Sequence, residues 1–260
     1  MKMRKILLST AVGAIAFALL ATGGAQAIKL RIGEIVIVAN GGFTPTKLPK
    51  RENAPIKLYG HAKFSTISGE RPSPLRRLTI EFDKHGAVET RGLRKCTRAK
   101  LVATTTRTAR RNCKGSVVGT GFGTALVVLP EQRGIRASSP LTLFNGPRRN
   151  GNPTVLGHAH LDYPAPTTYV VLIEIEKINR GRYGFRTVAD FPRIANDYGS
   201  PLSGRLKIGR EWKHRGKRLS YANARCADGR LQAQAEFSFK NGDSVKGTVF
   251  RPCQVVPDRK

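Results

Sequence analysis

Residues 230–252 read RLQAQAEFSFKNGDSVKGTVFRP, and this stretch indicates the fold class. Apolar and polar residues alternate from 231 to 239, as they do in a strand that is buried on one face. Asn241-Gly242 is a strong turn signal, because both residues tolerate the positive φ that tight hairpins need. Residues 244–251 supply the returning strand. The stretch therefore predicts an antiparallel hairpin.

Similar patterns run through the rest of the chain. Leu206, Ile208 and Trp212 alternate with charged residues, residues 214–217 form a turn, and a strand returns over 219–226. Together with the hairpin, this pattern predicts a four-strand antiparallel meander with one solvent-exposed face. The predicted fold class is all-β, of antiparallel β-sandwich type, as one large or two tandem units.

One segment is typical of a helix instead. Val102, Thr105, Ala109 and Cys113 follow one another in steps of three and four, with no proline or glycine among residues 97–112. We expect a short helix over 97–112 that crosses between strands.

The first 27 residues have the organisation of an export signal. Lys2, Arg4 and Lys5 precede an apolar run over 6–20, and Ala25-Gln26-Ala27 offers a small-x-small cleavage site. The apolar run is shorter than the ~20 residues that a membrane-spanning helix needs. We expect a signal peptide over 1–27, no transmembrane segment after its removal, and a mature protein that is secreted or held at the cell surface.

The sequence is compatible with one domain or two. Residues 145–153 contain four glycines or prolines among polar residues and are the best candidate boundary. They would separate a first β-rich unit over 28–150 from a second over 151–260. A long loop inside a single domain over 28–260 would look the same.

The chain is strongly basic, with 46 Lys and Arg against 17 Asp and Glu and a formal net charge of +29. Such a surface attracts polyanions, so anionic polymers or lipid headgroups of the cell envelope are the expected partners. The alternative is a solvated surface without a ligand. The densest basic stretch falls in an acid-free segment and consists of Arg91, Arg94, Lys95, Arg98, Lys100, Arg107, Arg110, Arg111 and Lys114. A second group is Arg205, Lys207, Arg210, Lys213, Arg215, Lys217 and Arg218.

Four cysteines, Cys96, Cys113, Cys226 and Cys253, are consistent with two disulfides in an oxidising compartment. Three pairings are possible. We favour Cys96–Cys113 and Cys226–Cys253, because the members of each pair are near in sequence. A Cys₄ zinc site is the alternative, although no C-x-x-C pair supports it.

His158-Ala159-His160-Leu161-Asp162 is the sharpest candidate site for chemistry. On a strand His158, His160 and Asp162 share one face, where they could offer three ligands to zinc. The alternative is a polar face that meets water. Nucleophile signatures of the G-x-S-x-G and H-E-x-x-H types are missing, as are helix-turn-helix and zinc-finger signatures. We therefore expect no enzyme activity, no cofactor and no specific nucleic-acid partner.

Several turn and cysteine landmarks together resemble a group of uncharacterised secreted proteins from soil actinobacteria. They are Gly92-Leu93-Arg94-Lys95-Cys96, Cys113, Phe144-Asn145-Gly146-Pro147, Gly181-Arg182-Tyr183-Gly184 and Ser220-Tyr221 leading to Cys226. The similarity covers most of the chain after residue 27. It implies export and a disulfide-stapled β fold, and it implies no activity and no site residue.

Three functions follow as hypotheses. The first is an exported, non-enzymatic basic protein that associates with anionic envelope or extracellular material. The second is an exported metal-dependent hydrolase that uses His158, His160 and Asp162. The third is a structural surface protein without a ligand.

Overall fold

A computed structural model describes residues 27–258. The predicted signal peptide over 1–27 lies outside the described residues, apart from Ala27. None of the helices in the described range is long and apolar enough to cross a bilayer.

Strands dominate the described range, so the predicted all-β fold is confirmed. In chain order they are β1 Ile28–Ile32, β2 Ile35–Thr44, β3 Lys47–Pro49, β4 Ala54–Pro55, β5 Lys57–Thr66, β6 Leu75–Asp83, β7 Gly86–Val88, β8 Val117–Val127, β9 Ile135–Asn145, β10 Thr154–Leu161, β11 Thr167–Arg180, β12 Tyr183–Asp190, β13 Gly199–Ile208, β14 Glu211–His214, β15 Lys217–Ser220, β16 Ala222–Ala224, β17 Arg230–Phe239, β18 Ser244–Pro252 and β19 Gln254–Val256. The helical segments are α1 Thr106–Asn112 and two 3-10 turns, Arg98–Lys100 and Ile194–Asp197.

Twelve strands form one antiparallel sheet in the order β1-β2-β5-β13-β8-β9-β10-β11-β12-β6-β17-β18. The sheet curls over, so that its two ends pack together. Phe64 on β5 meets Phe237 on β17 edge to face, with ring centroids 5.7 Å apart. A Cβ added to Gly247 on β18 would lie 2.7 Å from the Ile28 side chain on β1. Apolar residues on the inner faces of the two layers form a shared core, as in a sandwich.

The predicted hairpin over 230–252 is confirmed, because β17 pairs with β18 from Arg230 opposite Pro252 to Ser238 opposite Ser244. Gly242 lies in the turn at a φ of +91°, which the missing Cβ allows. The four-strand meander is wrong. The other neighbour of β17 is β6, which lies about 150 residues earlier in the chain. The segment 219–226, which was predicted to pair with β17, lies outside the large sheet.

That departure brings Cys226 and Cys253 together. The strand that precedes Cys226, β16, pairs with β4 and β7 in a small separate sheet. Because β16 does not lie flat beside β17, the two cysteines are not separated by sheet spacings. Their Cα atoms are 5.9 Å apart and their sulfurs are bonded, so this predicted disulfide is confirmed.

Strands from both sides of residue 150 share the large sheet. β13 lies between β5 and β8, and β17 lies beside β6. A cut at residue 150 would therefore separate strands that are hydrogen-bonded to one another.

The segment predicted as one helix over 97–112 is helical only in part. Residues 106–112 form α1, whose first turn is capped by the Thr105 hydroxyl, which accepts from the backbone N–H of Thr108 at 3.3 Å. Ala103 interrupts the segment with a φ of +54°, a left-handed conformation that a helix does not contain.

Candidate functional site

Residues 91–114 are here called the basic cap. Leu93 packs against Leu143 and Val155 on the inner face, whereas residues 96–113 lie over the outer face of β9, β10 and β11 and turn both cysteines toward the sheet. Leu101, Ala109 and the Cys96–Cys113 disulfide are buried against Phe144, Leu156 and Val170. The pairing of Cys96 with Cys113 is thus confirmed, with Cα atoms 5.4 Å apart. The apolar side of the cap attaches it to the sheet, which leaves its other side free for solvent.

Hydrogen bonds fix the cap at several points along the sheet. The backbone N–H of Cys96 donates to the carbonyl of Asn145 at 2.8 Å, and the Asn145 side-chain amide donates back to the carbonyl of Arg94 at 3.0 Å. The Arg98 guanidinium donates to the Val170 carbonyl at 2.8 Å. The Arg110 Nε donates to the Thr142 hydroxyl at 3.3 Å. The cap is therefore a fixed structure in which the positions of the basic residues are defined.

All nine basic residues predicted for this site are exposed. Among the described residues only one of them, Arg91, forms an ion pair, with Glu89 at 2.5 Å. The hydrogen bond from Arg91 lowers the pKa of Glu89, so that this carboxylate stays ionised beside its partner. The other eight cations have no carboxylate within ion-pair distance in residues 27–258. Their charges remain available to an external anion.

The second basic group meets the cap through the β14–β15 hairpin. The Trp212 indole donates to the carbonyl of Arg91 at 2.9 Å. The His214 ring also packs directly against Gly92: a Cβ atom on residue 92 would lie 2.2 Å from the Nδ1 atom of His214. The Arg210 guanidinium donates to the Val117 carbonyl at 2.9 Å. These contacts place Lys213, Arg215, Lys217 and Arg218 on a hairpin that is docked beside the cap.

The rest of the second group lies on the open outer face of the sheet next to the cap. Thr142, which Arg110 of the cap contacts, is opposite Thr120 on β8, and Thr120 is opposite Lys207 on β13. Two strand spacings, about 9–10 Å, therefore separate Lys207 from the cap's contact point. Arg205 points to the same side, since its guanidinium lies 5.5 Å from the centroid of the Phe122 ring.

Acidic residues are distributed unevenly over the large sheet. Seven neighbouring strands, β1, β2, β5, β13, β8, β9 and β10, carry seven Lys and Arg and no acidic residue, and we call them the acid-free half. The other five, β11, β12, β6, β17 and β18, carry eight Lys and Arg and six acidic residues, and we call them the acid-bearing half. The outer face of the acid-free half is thus a cationic surface.

In the acid-bearing half five of the eight strand cations are paired with carboxylates: Arg76, Arg77, Arg180, Arg186 and Lys246. Glu81, 6% exposed, accepts from Arg186 at 2.9 Å and from Arg180 at 3.1 Å. These residues line a cleft of about 250 Å³ in which Arg77 pairs with Asp190 at 2.6 Å. The paired charges make this cleft a poor site for an additional anion.

A second buried network lies at one end of the same half. Asp83, 4% exposed, accepts from the Arg182 Nε at 2.6 Å and from the backbone N–H of Gln232 at 3.1 Å. Arg182 also binds Asp228 through both terminal nitrogens. The bond to Asp228, together with the bond to Asp83, raises the pKa of Arg182. The hydrogen bonds of Asp83 thus link β6 to Arg182, directly before β12, and to Gln232 on β17.

The predicted metal ligands are not assembled into a site. The His158 side chain is buried under the cap, and its Nε2 donates to the Thr104 carbonyl at 3.0 Å. His160 is engaged on both ring nitrogens, with the Thr168 hydroxyl at 2.9 Å and with the exposed Asp162 at 3.3 Å. Within residues 27–258, no three His, Cys, Asp or Glu side chains are grouped to hold a metal ion.

Two cations of the outer face, Lys57 and Lys63 on β5, were not among the predicted site residues. The stretch 57–63 reads KLYGHAK, and its alternation does indicate that both lysines face the same side. Their proximity to Arg205 and Lys207 depends on the pairing of β5 with β13, which are about 140 residues apart in the chain. No local pattern indicates that pairing.

Comparisons with protein-family models, curated proteins and solved structures found no match for this chain.

Proposed function

We propose that this chain is an exported, non-enzymatic protein that associates with anionic cell-envelope or extracellular material through its basic cap. One observation carries the proposal: the cap buries its apolar side and its disulfide, and exposes nine cations of which a single one is paired. Fixed, unneutralised cations are the feature that electrostatic association requires.

Export is supported by the two disulfides, which form and persist in oxidising compartments. The predicted signal sequence over 1–27 agrees with it. Arginine accounts for six of the nine cap cations, and its planar guanidinium suits the oxygens of phosphate, sulfate and carboxylate groups.

Retention on a sulfated polysaccharide matrix across a salt series tests the proposal. We expect binding at low salt that falls steeply as salt rises, because exposed charges are screened over roughly 10 Å at 0.1 M. The variant Arg107→Gln with Arg111→Gln and Lys114→Gln should lower the steepness of the log–log salt dependence by about 2, since each lost contact removes about 0.7.

The matched control is Lys84→Gln with Lys177→Gln and Lys246→Gln, which removes the same charge elsewhere and mainly from the acid-bearing half. It should leave the salt dependence nearly unchanged. Equal effects of the two triple variants would show that only net charge matters. Retention that never appears at low salt, or persists unchanged at about 0.5 M, would refute electrostatic association.

A further inference from the structure

Four cations on the open face beside the cap form a regular row, here called the cation ladder: Lys57 and Lys63 on β5, and Lys207 and Arg205 on β13. Lys207 lies directly opposite Tyr59, and Arg205 lies directly opposite His61. Along the strand axis the order is therefore Lys57, Lys207, Arg205, Lys63, in steps of two residues. Two residues of strand rise place successive rungs about 6.7 Å apart along this axis, and the whole ladder spans about 20 Å. Because β13 lies one strand spacing from β5, the first and last steps measure about 8 Å between backbone positions.

The ladder is accessible and without bound counter-charge. All four side chains are exposed, and none forms an ion pair with a residue in the described range. The strands on either side, β2 and β8, contain no acidic residue. The nearest carboxylate that shares a cleft with the ladder is Glu211 beside Lys57, and Glu211 is held by Arg218 at 3.4 Å.

The spacing of the rungs indicates the ligand. Three backbone bonds of an extended polypeptide span about 3.5 Å, so a repeat of six backbone bonds spans about 7 Å. A glycerol phosphate polymer has six backbone bonds between successive phosphorus atoms. We propose that the cation ladder binds an extended polyol phosphate chain along the strand axis, with one phosphate at each rung. This inference rests on the proposed function, because it names the anionic polymer that the protein would bind.

The aromatic residues of this face favour a polyol phosphate over single-stranded nucleic acid. Platforms for single strands stack successive bases on successive rings. Here the face of Phe122 is covered by the Arg205 guanidinium, which leaves Tyr59 and the His61 imidazole as the exposed rings next to the ladder. The face therefore provides regularly spaced charge with little surface for bases.

The decisive variant moves one rung without changing the net charge. Ser65 is exposed and lies two residues beyond Lys63 on the same side of β5. Lys63→Gln with Ser65→Lys therefore opens a gap of about 13 Å between the last two rungs. Affinity for a synthetic poly(glycerol phosphate) that reaches all four rungs should fall about fivefold, the upper end of what one exposed ion pair contributes. Lys63→Arg, which keeps the rung, should bind like the wild type.

Further arms separate the possible outcomes. Binding that is unchanged in the gap variant would overturn the ladder and leave association by net charge. An oligonucleotide that binds more tightly than the polyol phosphate, with the same loss in the gap variant, would overturn the choice of ligand in favour of nucleic acid. If the wild-type protein bound no polyanion at all, the proposed function itself would be refuted. Thermal unfolding of each variant confirms that the fold is retained.

Discussion

The two halves of the large sheet use similar numbers of basic residues in opposite ways. In the acid-bearing half, Arg180 and Arg186 are committed to the buried Glu81, and Arg182 is committed to Asp83. In the acid-free half, Arg205 and Lys207 stand exposed with no carboxylate on the neighbouring strands. Charge stabilises the fold in one half and remains available to a ligand in the other.

This difference between the two halves shows that the unpaired positive charge is not spread evenly over the large sheet. Removing a paired cation such as Arg182 or Lys246 from the acid-bearing half takes a partner from a carboxylate, whereas removing a cation of the ladder breaks no ion pair among the described residues. The two kinds of substitution should therefore differ in their effect on folding and on binding.

The largest expected effect is the loss of a buried carboxylate in the acid-bearing half. Asp83→Ala leaves the Arg182 Nε and the backbone N–H of Gln232 without their acceptor, while the terminal nitrogens of Arg182 keep Asp228. Removing one partner of a buried ion pair costs about 3–5 kcal/mol of unfolding free energy, and because Arg182 keeps Asp228 the expected loss lies toward the lower end of that range. Urea unfolding measures this loss of unfolding free energy, and Lys207→Gln is the comparison variant from the acid-free half. That surface substitution should change stability by less than about 0.5 kcal/mol, and a similar loss for both would remove the distinction between the halves.

The next effect concerns the attachment of the cap to the acid-free half. Cys96→Ala with Cys113→Ala opens a loop whose ends are 17 residues apart. The expected loss is about 3 kcal/mol, and trypsin should cleave within residues 91–114 faster than in the wild type. Cys226→Ala with Cys253→Ala is the matched control, because that disulfide does not touch the cap. If the control exposed the cap to trypsin equally, the cap would not be an independently attached segment.

Local features of the fold were predictable from the sequence, and long-range pairings were not. The alternation over 231–239 and the Asn241-Gly242 turn lie within one hairpin, so their prediction needed no other part of the chain. The choice of β6 as the second neighbour of β17 depends on packing across about 150 residues. The helix over 97–112 was overestimated because the backbone turns left-handed at Ala103, a residue type that does not signal such a conformation in the sequence.

The candidate site divides in the same way. The nine cap cations lie within one stretch of sequence that contains no acidic residue, so the sequence alone predicted them as a group. The cation ladder combines two strands that pair only in the folded chain, so it was missed. The interpretation of His158 as a metal ligand assumed an open strand face, whereas the cap covers that face and occupies the imidazole with the Thr104 carbonyl.

The smallest expected effect is a pH dependence that compares the buried His158 of the acid-free half with His85, which is half-buried beside the acid-bearing half. Burial lowers the pKa of His158 under the cap and of His85 beside the acid-bearing half. A histidine that is harder to protonate when folded than when unfolded leaves stability constant above the unfolded value, about 6.5, and lowers it as pH falls further. The loss is at most about 1.4 kcal/mol per pH unit for each such group.

The two histidines should differ because of their neighbours. His85 lies 3.2 Å from the Asp83 carboxylate, which favours the protonated ring and partly offsets the effect of burial on its pKa, whereas the neighbour of His158 is another histidine, His160, which lowers the pKa of His158 further. His158→Gln keeps a donor for the Thr104 carbonyl and should therefore remove more of the drop in thermal midpoint between about pH 7 and pH 5 than His85→Gln does. The reverse order would mean that the carboxylates of the acid-bearing half, and not burial under the cap, govern the response to acid.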